Sequence, residues 1–195
     1  MSRRMMRTFI AVPLDDAVRR RAVALQGQLG QGGASVKWVE PENLHVTLLF
    51  LGEVDARATL DVCRAVQAVT SAVPPFPLEF SVLGGFPNLR RPRTLWIGIG
   101  EGMAELVSLH DALENALLEL GCYRREDRAF TPHLTLGRTK TDDVNDAMRT
   151  TLNKHATWQG GQQLVREIQV LSSEFSGDTP VYTILSRCPL EGNAT

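Results

Sequence analysis

Apolar residues recur at the spacing of an α-helix in three stretches of the chain, so that one face of each stretch is apolar. These stretches are marked by Val18, Ala22, Leu25 and Leu29, by Val62, Val66, Val69 and Val73, and by Leu106, Leu109, Leu113, Leu117 and Leu120. Glycine or proline follows each of them, as is common where helices end. The pattern predicts three helices, and a thinner apolar face predicts a fourth from about Asp142 to Lys154.

Strand patterns fall between these helices, and the clearest is the strict alternation of apolar residues from Phe76 to Val82. Such alternation is typical of a sheet with one covered face. Seven strands are predicted, over Thr8–Val12, His45–Leu51, Phe76–Leu83, Thr94–Ile99, Thr131–Gly137, Leu164–Leu171 and Val181–Leu185. Because the strands are half-buried in pattern and some follow one another directly, we predict an α+β fold with largely antiparallel sheets.

Composition narrows the class of protein. The chain has 195 residues, of which 43% are hydrophobic and 22% charged, which suits one globular domain or two small lobes. A formal net charge of -1 gives no long-range attraction for duplex DNA. The three cysteines form no CxxC pair, the apolar start is too short for an export signal, and no apolar run reaches about 20 residues. These features predict reduced cysteines, a cytoplasmic location and no membrane partner. A monomer is expected, although no sequence feature determines the oligomeric state.

One short internal repeat carries candidate chemistry. His45-Val46-Thr47-Leu48 and His133-Leu134-Thr135-Leu136 share the pattern His-apolar-Thr-apolar and use half of the four histidines. Residues i and i+2 of a strand share a face, so each histidine points the same way as its threonine. Each motif is therefore expected to place an imidazole beside a hydroxyl on an apolar-backed strand.

Two such motifs favour acid–base chemistry at a phosphate. A pair of imidazoles with pKa values near ~6.5 can hold one proton between them, and threonine hydroxyls can donate to phosphate oxygens. A metal bound by His45 and His133 with a carboxylate is an alternative, but zinc sites usually have three or four protein ligands. A serine hydrolase is disfavoured because no GxSxG sequence is present. We expect no metal and no cofactor, and His110 and His155 are interpreted as surface or boundary residues.

The repeats and their surroundings resemble a known family along nearly the whole chain. Both repeats match the HxTx motifs of the two-histidine (2H) phosphoesterases. The further motifs are Arg7-Thr8-Phe9-Ile10-Ala11, Pro41-Glu42-Asn43-Leu44, Phe50-Leu51-Gly52-Glu53, Gly85-Phe86-Pro87-Asn88, Leu95-Trp96 and Phe130-Thr131-Pro132. Together they resemble the bacterial and archaeal RNA 2′,3′-cyclic phosphodiesterases, historically called 2′-5′ RNA ligases.

The resemblance implies a single bilobed, pseudo-twofold domain over residues 1–195, with flanking helices and one HxTx motif per lobe facing a central groove. It also implies metal-free hydrolysis of a 2′,3′-cyclic phosphate to a 2′-phosphate. By the family pattern His45 is the proton donor, His133 the proton acceptor, and Thr47 and Thr135 bind the phosphate. The residues alone leave the acid and base order open.

Further residues are candidates for RNA contact. Arg93, Arg128 and Arg138 are possible contacts to the backbone, and Phe130 or Trp38 could stack on a base, although core packing is the alternative for both aromatics. The expected partners are single-stranded RNA ends or cyclic nucleotides. Three alternatives remain open at this point: 2′-5′ ligation, cleavage of 2′-5′ linkages in the same groove, and RNA binding without catalysis.

Overall fold

The computed structural model describes residues 4–33, 35–121, 123–125, 129–140 and 145–193. Its helices are α1 (Asp16–Gly30), α2 (Ala58–Thr70), α3 (Met103–Glu119) and α4 (Asp146–Lys154), with a short 3₁₀ helix over Pro41–Asn43. Its strands are β1 (Met5–Pro13), β2 (Val36–Trp38), β3 (His45–Asp55), β4 (Phe76–Phe86), β5 (Thr94–Ile99), β6 (His133–Thr139), β7 (Gln159–Val165), β8 (Glu167–Ser176) and β9 (Thr179–Pro189).

The helices lie where the apolar spacing predicts them. Asp15 caps α1, because its carboxylate accepts the Val18 backbone N–H at 2.8 Å. Asn145 caps α4 in the same way, so this helix begins after the predicted start, and residues 142–144 lie outside the described part of the chain. No helix in the described ranges is long and apolar enough to cross a membrane.

The strands form one sheet in the order β7-β4-β5-β6-β3-β1-β8-β9, with β2 paired to β6. Every pairing is antiparallel, which confirms the predicted α+β class. The two HxTx strands, β3 and β6, are neighbours at the centre and pair through Val46 and Leu134. The fold therefore brings together two motifs that are far apart in sequence. That the two halves of the sheet are lobes of one domain stays a prediction.

Two features of the sheet differ from the sequence prediction. The predicted strand Leu164–Leu171 is two strands, because the chain leaves the sheet at Arg166. β7 pairs with β4 on one side of the sheet, whereas β8 pairs with β1 and β9 on the other. The apolar pattern continues through this crossing without a turn residue, so periodicity alone joins the strands. The short β2 was not predicted.

The core lies against one face of the central strands, and the candidate chemistry lies on the other. The apolar residues of the motifs, Val46, Leu48, Leu134 and Leu136, are buried in the main hydrophobic cluster. The polar residues His45, Thr47, His133 and Thr135 are half-buried on the opposite face. Strand alternation therefore separates packing from chemistry, as the motif spacing predicted.

Candidate active site

His45 stands at the start of β3, directly after the 3₁₀ helix. Its Nδ1 lies 2.7 Å from the Asn43 carbonyl oxygen, and its Nε2 lies 2.9 Å from Thr47 Oγ1. A carbonyl oxygen can only accept, so Nδ1 carries the proton in the neutral ring. Thr47 then donates its hydroxyl hydrogen to Nε2. The spacing of the motif thus produces a direct imidazole–hydroxyl pair.

His133 repeats this arrangement at the start of β6. Its Nδ1 lies 2.7 Å from the carbonyl oxygen of Thr131, the residue two positions before it. Both imidazoles therefore use Nδ1 to bond the carbonyl at position i−2, which orients the two rings and selects the same tautomer in each. The repeat in the sequence is also a repeat in hydrogen bonding.

Aromatic rings from neighbouring strands pack against each imidazole. The ring centroids are 5.1 Å apart for His45 and Phe9, 5.5 Å for His45 and Tyr182, 5.1 Å for His133 and Phe86, and 6.1 Å for His133 and Trp96. These contacts restrict rotation of the two imidazole rings in addition to the hydrogen bonds to the backbone carbonyls. Both candidate acid–base groups are consequently held in place before any ligand binds.

The surroundings of His45 disfavour its charged form. Burial is the main cause that lowers the pKa of His45, and the charge of His133 lowers it further, while the hydrogen bond to the Asn43 carbonyl acts in the opposite direction. His45 is therefore neutral at pH 7 in the free protein. Since His133 influences this pKa, charging both imidazoles together is unfavourable, and the pair is suited to hold one proton.

The two motifs open into one groove with a cavity of about 1150 Å³, a volume that suits a nucleotide. Of the residues singled out from the sequence, the groove is lined by Trp38, His45, Thr47, Phe130, His133, Thr135 and Arg138. Arg93 does not line it; this exposed residue lies in the turn before β5, where its backbone N–H donates to the Phe86 carbonyl. Arg128 lies outside the described residues.

His110 is not the surface or boundary residue that the sequence suggested. It is only 9% exposed, lines the groove and stacks on Phe130 with centroids 4.0 Å apart and rings 8° from parallel. Phe130, shortly before β6, thus lies against the face of α3 that carries His110. One face of Phe130 is thereby covered by His110, so at most its other face could contact a base.

Sequence reasoning missed Tyr182 and the structural role of Asn43. Asn43 is buried, and its side chain donates to the Pro180 carbonyl at 2.9 Å, which ties the 3₁₀ helix to β9. Tyr182 reaches His45 from the same strand. No local pattern connects β9 with β3, because their proximity depends on the order of strands in the sheet. The family motif around Asn43 was the one signal available.

The groove offers hydrogen-bonding and acid–base groups. Within the described ranges, no group of three or more His, Cys, Asp or Glu side chains is arranged to hold a metal ion. Burial raises the pKa of the Tyr182 phenol, while the positive charges of Arg138 and Arg7 lower it. Both guanidinium groups are thus close enough to affect a hydroxyl beside His45, and an anion in the groove would experience the same charges.

Comparison with known proteins gives a consistent result. The model of the 2′-5′ RNA ligase superfamily matches residues 14–175. The chain is 37% identical over 179 residues to the RNA 2′,3′-cyclic phosphodiesterase of Archaeoglobus fulgidus, covering 91% of this chain and 96% of the relative. It is 33% identical over 156 residues to the protein of the same name from Aquifex aeolicus, covering 80% of this chain and 82% of the relative.

Solved structures agree with this result. TT0787 of Thermus thermophilus superposes with a TM-score of 0.82 and 28% identity, covering 97% of this chain and 100% of that one. Escherichia coli LigT complexed with 3′-AMP superposes with a TM-score of 0.76 and 25% identity, covering 96% and 99%. With a family match over most of its length and relatives matched almost from end to end, the chain belongs to the 2′-5′ RNA ligase superfamily, as its two HxTx motifs suggested.

Proposed function

We propose that this protein is an RNA 2′,3′-cyclic phosphodiesterase, a hydrolase that opens a terminal 2′,3′-cyclic phosphate to a 2′-phosphate. The observation that carries the proposal is the pair of half-buried imidazoles on neighbouring strands, each oriented by a backbone carbonyl and both lining one groove. Relatives named RNA 2′,3′-cyclic phosphodiesterase support the substrate class.

The proposed reaction is an in-line displacement at phosphorus. His133 removes a proton from a water molecule, whose oxygen forms a bond to phosphorus while the bond to the ribose O3′ breaks. The electron pair left on O3′ takes a proton from His45, which gives a 3′-hydroxyl and a 2′-phosphate. One imidazole must be neutral and the other protonated, which matches a pair that holds a single proton. The family pattern supplies the order, with His45 as donor.

Substrate binding would reverse the protonation state of His45. In the free protein its lowered pKa leaves Nε2 as the acceptor of the Thr47 hydroxyl. A cyclic phosphate carries a negative charge, which favours the imidazolium and raises that pKa. Once Nε2 is protonated, the Thr47 hydroxyl no longer donates to it and can donate to a phosphate oxygen. Substrate binding would therefore protonate His45, the proposed acid, and release the Thr47 hydroxyl to donate to the phosphate in the same step.

Thr135 and Arg138 would complete the phosphate site. Thr135 is the counterpart of Thr47 on β6, and Arg138 follows it on the same strand and lines the groove. Hydrogen bonds from hydroxyl and guanidinium groups to charged oxygens are stronger than those between neutral groups. These donors would stabilise the charge that develops on the phosphate oxygens in the transition state.

The direct test is incubation of the protein with a 2′,3′-cyclic mononucleotide in excess EDTA, with the product identified by phosphorus NMR. The expected product is the 2′-phosphate, formed without added metal. His45→Ala and His133→Ala are each expected to lower turnover by about 10²–10⁴-fold, the usual contribution of a general acid or base. His155→Ala is the matched control, because this histidine follows α4 and does not line the groove.

Three outcomes would contradict the proposal. A 3′-phosphate product would mean that the other ester bond is broken. Recovery of activity only after zinc or manganese is added would replace the metal-free mechanism. Tight RNA binding without conversion would favour the non-catalytic alternative. Joining of a cyclic phosphate to a 5′-hydroxyl, or cleavage of a 2′-5′ linkage, would use the same acid and base, and the same product analysis detects both activities.

A further inference from the structure

Aromatic side chains are exposed inside the groove, beyond the two HxTx motifs. Phe50 on β3 is 48% exposed and Phe175 on β8 is 64% exposed, and both line the cavity. The third phenylalanine with a comparably exposed side chain in the described ranges, Phe86, also lines it, against His133. Isolated exposed apolar side chains are common on protein surfaces, but exposed rings that line one groove together indicate a binding surface.

The exposed rings belong to a surface that continues from His45. Phe9 pairs with Phe50 in the β1–β3 register, with ring centroids 5.8 Å apart, and it also contacts His45 at 5.1 Å. On its other side the Phe9 ring packs edge-on against Tyr182 at 4.9 Å. Buried Phe9 therefore supports a row of rings that begins at the candidate acid and extends along the sheet.

A cation lies within this row. Arg7 precedes Phe9 by two residues on β1, pairs in register with Ser173 of β8, and Ser173 pairs with Tyr182 of β9. Residues in register on adjacent strands are about 4.8 Å apart, so Arg7 and Tyr182 lie on one side of the sheet within reach of one ligand. Glu53 is opposite Arg7 in the β1–β3 register, yet none of the ion pairs found among the described residues includes Arg7.

We infer that Arg7, Phe50, Phe175 and Tyr182, here termed the stacking platform, bind the nucleotides that precede the terminal cyclic phosphate of a single-stranded RNA. This inference rests on the proposed function. A 2′,3′-cyclic phosphate ends the chain at its 3′ side, so any further RNA leaves the active site only in the 5′ direction. Rings that accept any base and a cation for the backbone are the usual means of binding single strands without sequence preference.

The platform makes the preferred substrate an oligonucleotide rather than a mononucleotide. Stacking of one base on an aromatic side chain contributes about 1–3 kcal/mol, which corresponds to about 5–150-fold in affinity. The wild-type kcat/KM is therefore expected to be at least about 10-fold higher for a tetranucleotide with a cyclic phosphate end than for the cyclic mononucleotide. Most of this difference is expected in KM, because the platform does not touch the reacting bond.

The test compares both substrates in Phe175→Ala, in Phe50→Ala and in the double variant. Each single change is expected to lower kcat/KM for the tetranucleotide about 5-fold or more and to change that for the mononucleotide less than 2-fold. Val181→Ala is the matched control, because Val181 is 49% exposed on β9 but alternates to the face opposite Tyr182. It is expected to affect neither substrate.

The same comparison can be made without turnover, by fluorescence anisotropy of a labelled tetranucleotide ending in a 2′-phosphate. Equal wild-type kcat/KM for both substrates would overturn the stacking platform, as would equal losses for both substrates in the variants. Failure of the wild type to open the cyclic phosphate of both the mononucleotide and the tetranucleotide would instead overturn the proposed function. In that case loss of tetranucleotide binding in the double variant supports the platform, and unchanged binding overturns it.

Discussion

His45 is the residue whose surroundings oppose its proposed role most clearly. A proton donor must be charged before it acts, yet burial lowers the pKa of His45 in the free protein. The ordinary value is about 6.5, so most His45 is neutral at pH 7. A phosphate charge in the groove would raise this pKa, which links protonation to binding. The pH dependence of the free and the substrate-bound enzyme should therefore differ.

We predict bell-shaped pH profiles for both kcat and kcat/KM, with the alkaline limbs of the two profiles at different pH. The donor must be protonated, so activity falls as pH rises through its pKa. For kcat/KM, which reports the free enzyme, the alkaline limb is expected at lower pH than for kcat, which reports the bound enzyme, because the phosphate charge favours the protonated form of the pair. The limbs belong to the coupled pair of histidines. Steady-state kinetics from pH 4 to 9 measure both profiles.

The histidine variants provide the control for these profiles. The residual activity of His45→Ala is expected to lack the alkaline limb, and that of His133→Ala to retain it. The double variant should be little worse than the worse single one, because residues that act as a unit are not additive. If the alkaline limb of kcat lay at lower pH than that of kcat/KM, binding of the phosphate would not favour protonation. If His45→Ala lost the acid limb instead of the alkaline one, His45 would be the proton acceptor and His133 the donor.

The threonine hydroxyls lead to a second prediction. Thr47→Ala and Thr135→Ala are each expected to lower kcat by up to about 10³-fold, the effect of losing one donor to a developing charge, with both pH limbs preserved. Thr47→Ser retains the hydroxyl that lies 2.9 Å from His45 Nε2 and should recover most of the activity. Full activity in Thr47→Ala would show that this hydroxyl does not stabilise the transition state.

Local residue patterns were sufficient to find the motifs but not all of their neighbours. The i, i+2 spacing placed Thr47 beside His45 correctly, because strand geometry fixes which side chains share a face. The stacking of His110 on Phe130 could not be predicted, since it depends on how Phe130 packs against α3. Tyr182 was missed for the same reason. Such contacts are set by tertiary packing, which a sequence pattern does not contain.

Trp96 on β5 packs against His133, and the space for its indole depends on a glycine, Gly84, on the neighbouring strand β4. A Cβ atom at Gly84 would lie 2.2 Å, 2.3 Å and 2.5 Å from the Cη2, Cζ2 and Cζ3 atoms of Trp96. Gly84 and Trp96 are paired in the β4–β5 register, so the indole lies directly over the glycine. The position of the ring that supports His133 therefore depends on the absence of a methyl group one strand away.

We predict that Gly84→Ala displaces Trp96 and misorients His133. Overpacking of this kind costs about 1–3 kcal/mol of folding stability, and kcat should fall about 10-fold or more because the proposed base loses its support. Thermal denaturation and steady-state kinetics measure the two effects. Gly27→Ala is the matched control, because a Cβ atom at this position in α1 meets nothing within 4 Å and alanine favours a helix. Unchanged kcat in Gly84→Ala would contradict the supporting role of Trp96.

Helices and strands were predicted well where one hydrophobic period spans the whole element. They were predicted poorly where the chain passes from one pairing strand to another within a continuous apolar pattern. The strand Thr94–Ile99 has the bounds that the sequence predicted, because its alternation begins and ends with its pairing. β7 and β8 were joined in error, since their apolar patterns are continuous although the strands lie on opposite sides of the sheet. β2 has three residues, too few for a period to be detected, and its position depends on pairing with β6.

Across the whole molecule, the groove is bounded by strands from both halves of the sheet. The tip of the β8–β9 hairpin lines it, and there the Pro180 carbonyl accepts from Asn43 and the Asp178 carbonyl accepts from Lys37. These bonds connect the β8–β9 hairpin to β2 and to the 3₁₀ helix, both of which precede β3. The groove is thus closed on one side by residues distant in sequence, and its charge is set by the few cations that line it.

Those cations set the expected salt dependence of RNA binding. Of the described residues that line the groove, Arg7, Lys37 and Arg138 are the lysines and arginines. A single strand loses affinity with a slope near −0.7 per neutralised phosphate in log K against log salt, so two or three contacts predict a slope of about −1.4 to −2.1. A net charge of -1 adds no long-range attraction that would steepen it. Anisotropy titrations of a labelled tetranucleotide at several salt concentrations measure this slope.

Charge variants can show whether the RNA contacts the groove or the arginine-containing loop before β5. Arg138→Gln should reduce the magnitude of the slope by about 0.7, the share of one phosphate contact. The exposed Arg90 and Arg91 have backbone N–H groups bonded to the Asn88 side chain, in a loop that does not line the groove, so their double change to Gln should leave the slope unchanged. A wild-type slope steeper than about −3 that becomes shallower in this double variant would mean that the RNA crosses the loop. That result would contradict a path of the RNA along the stacking platform.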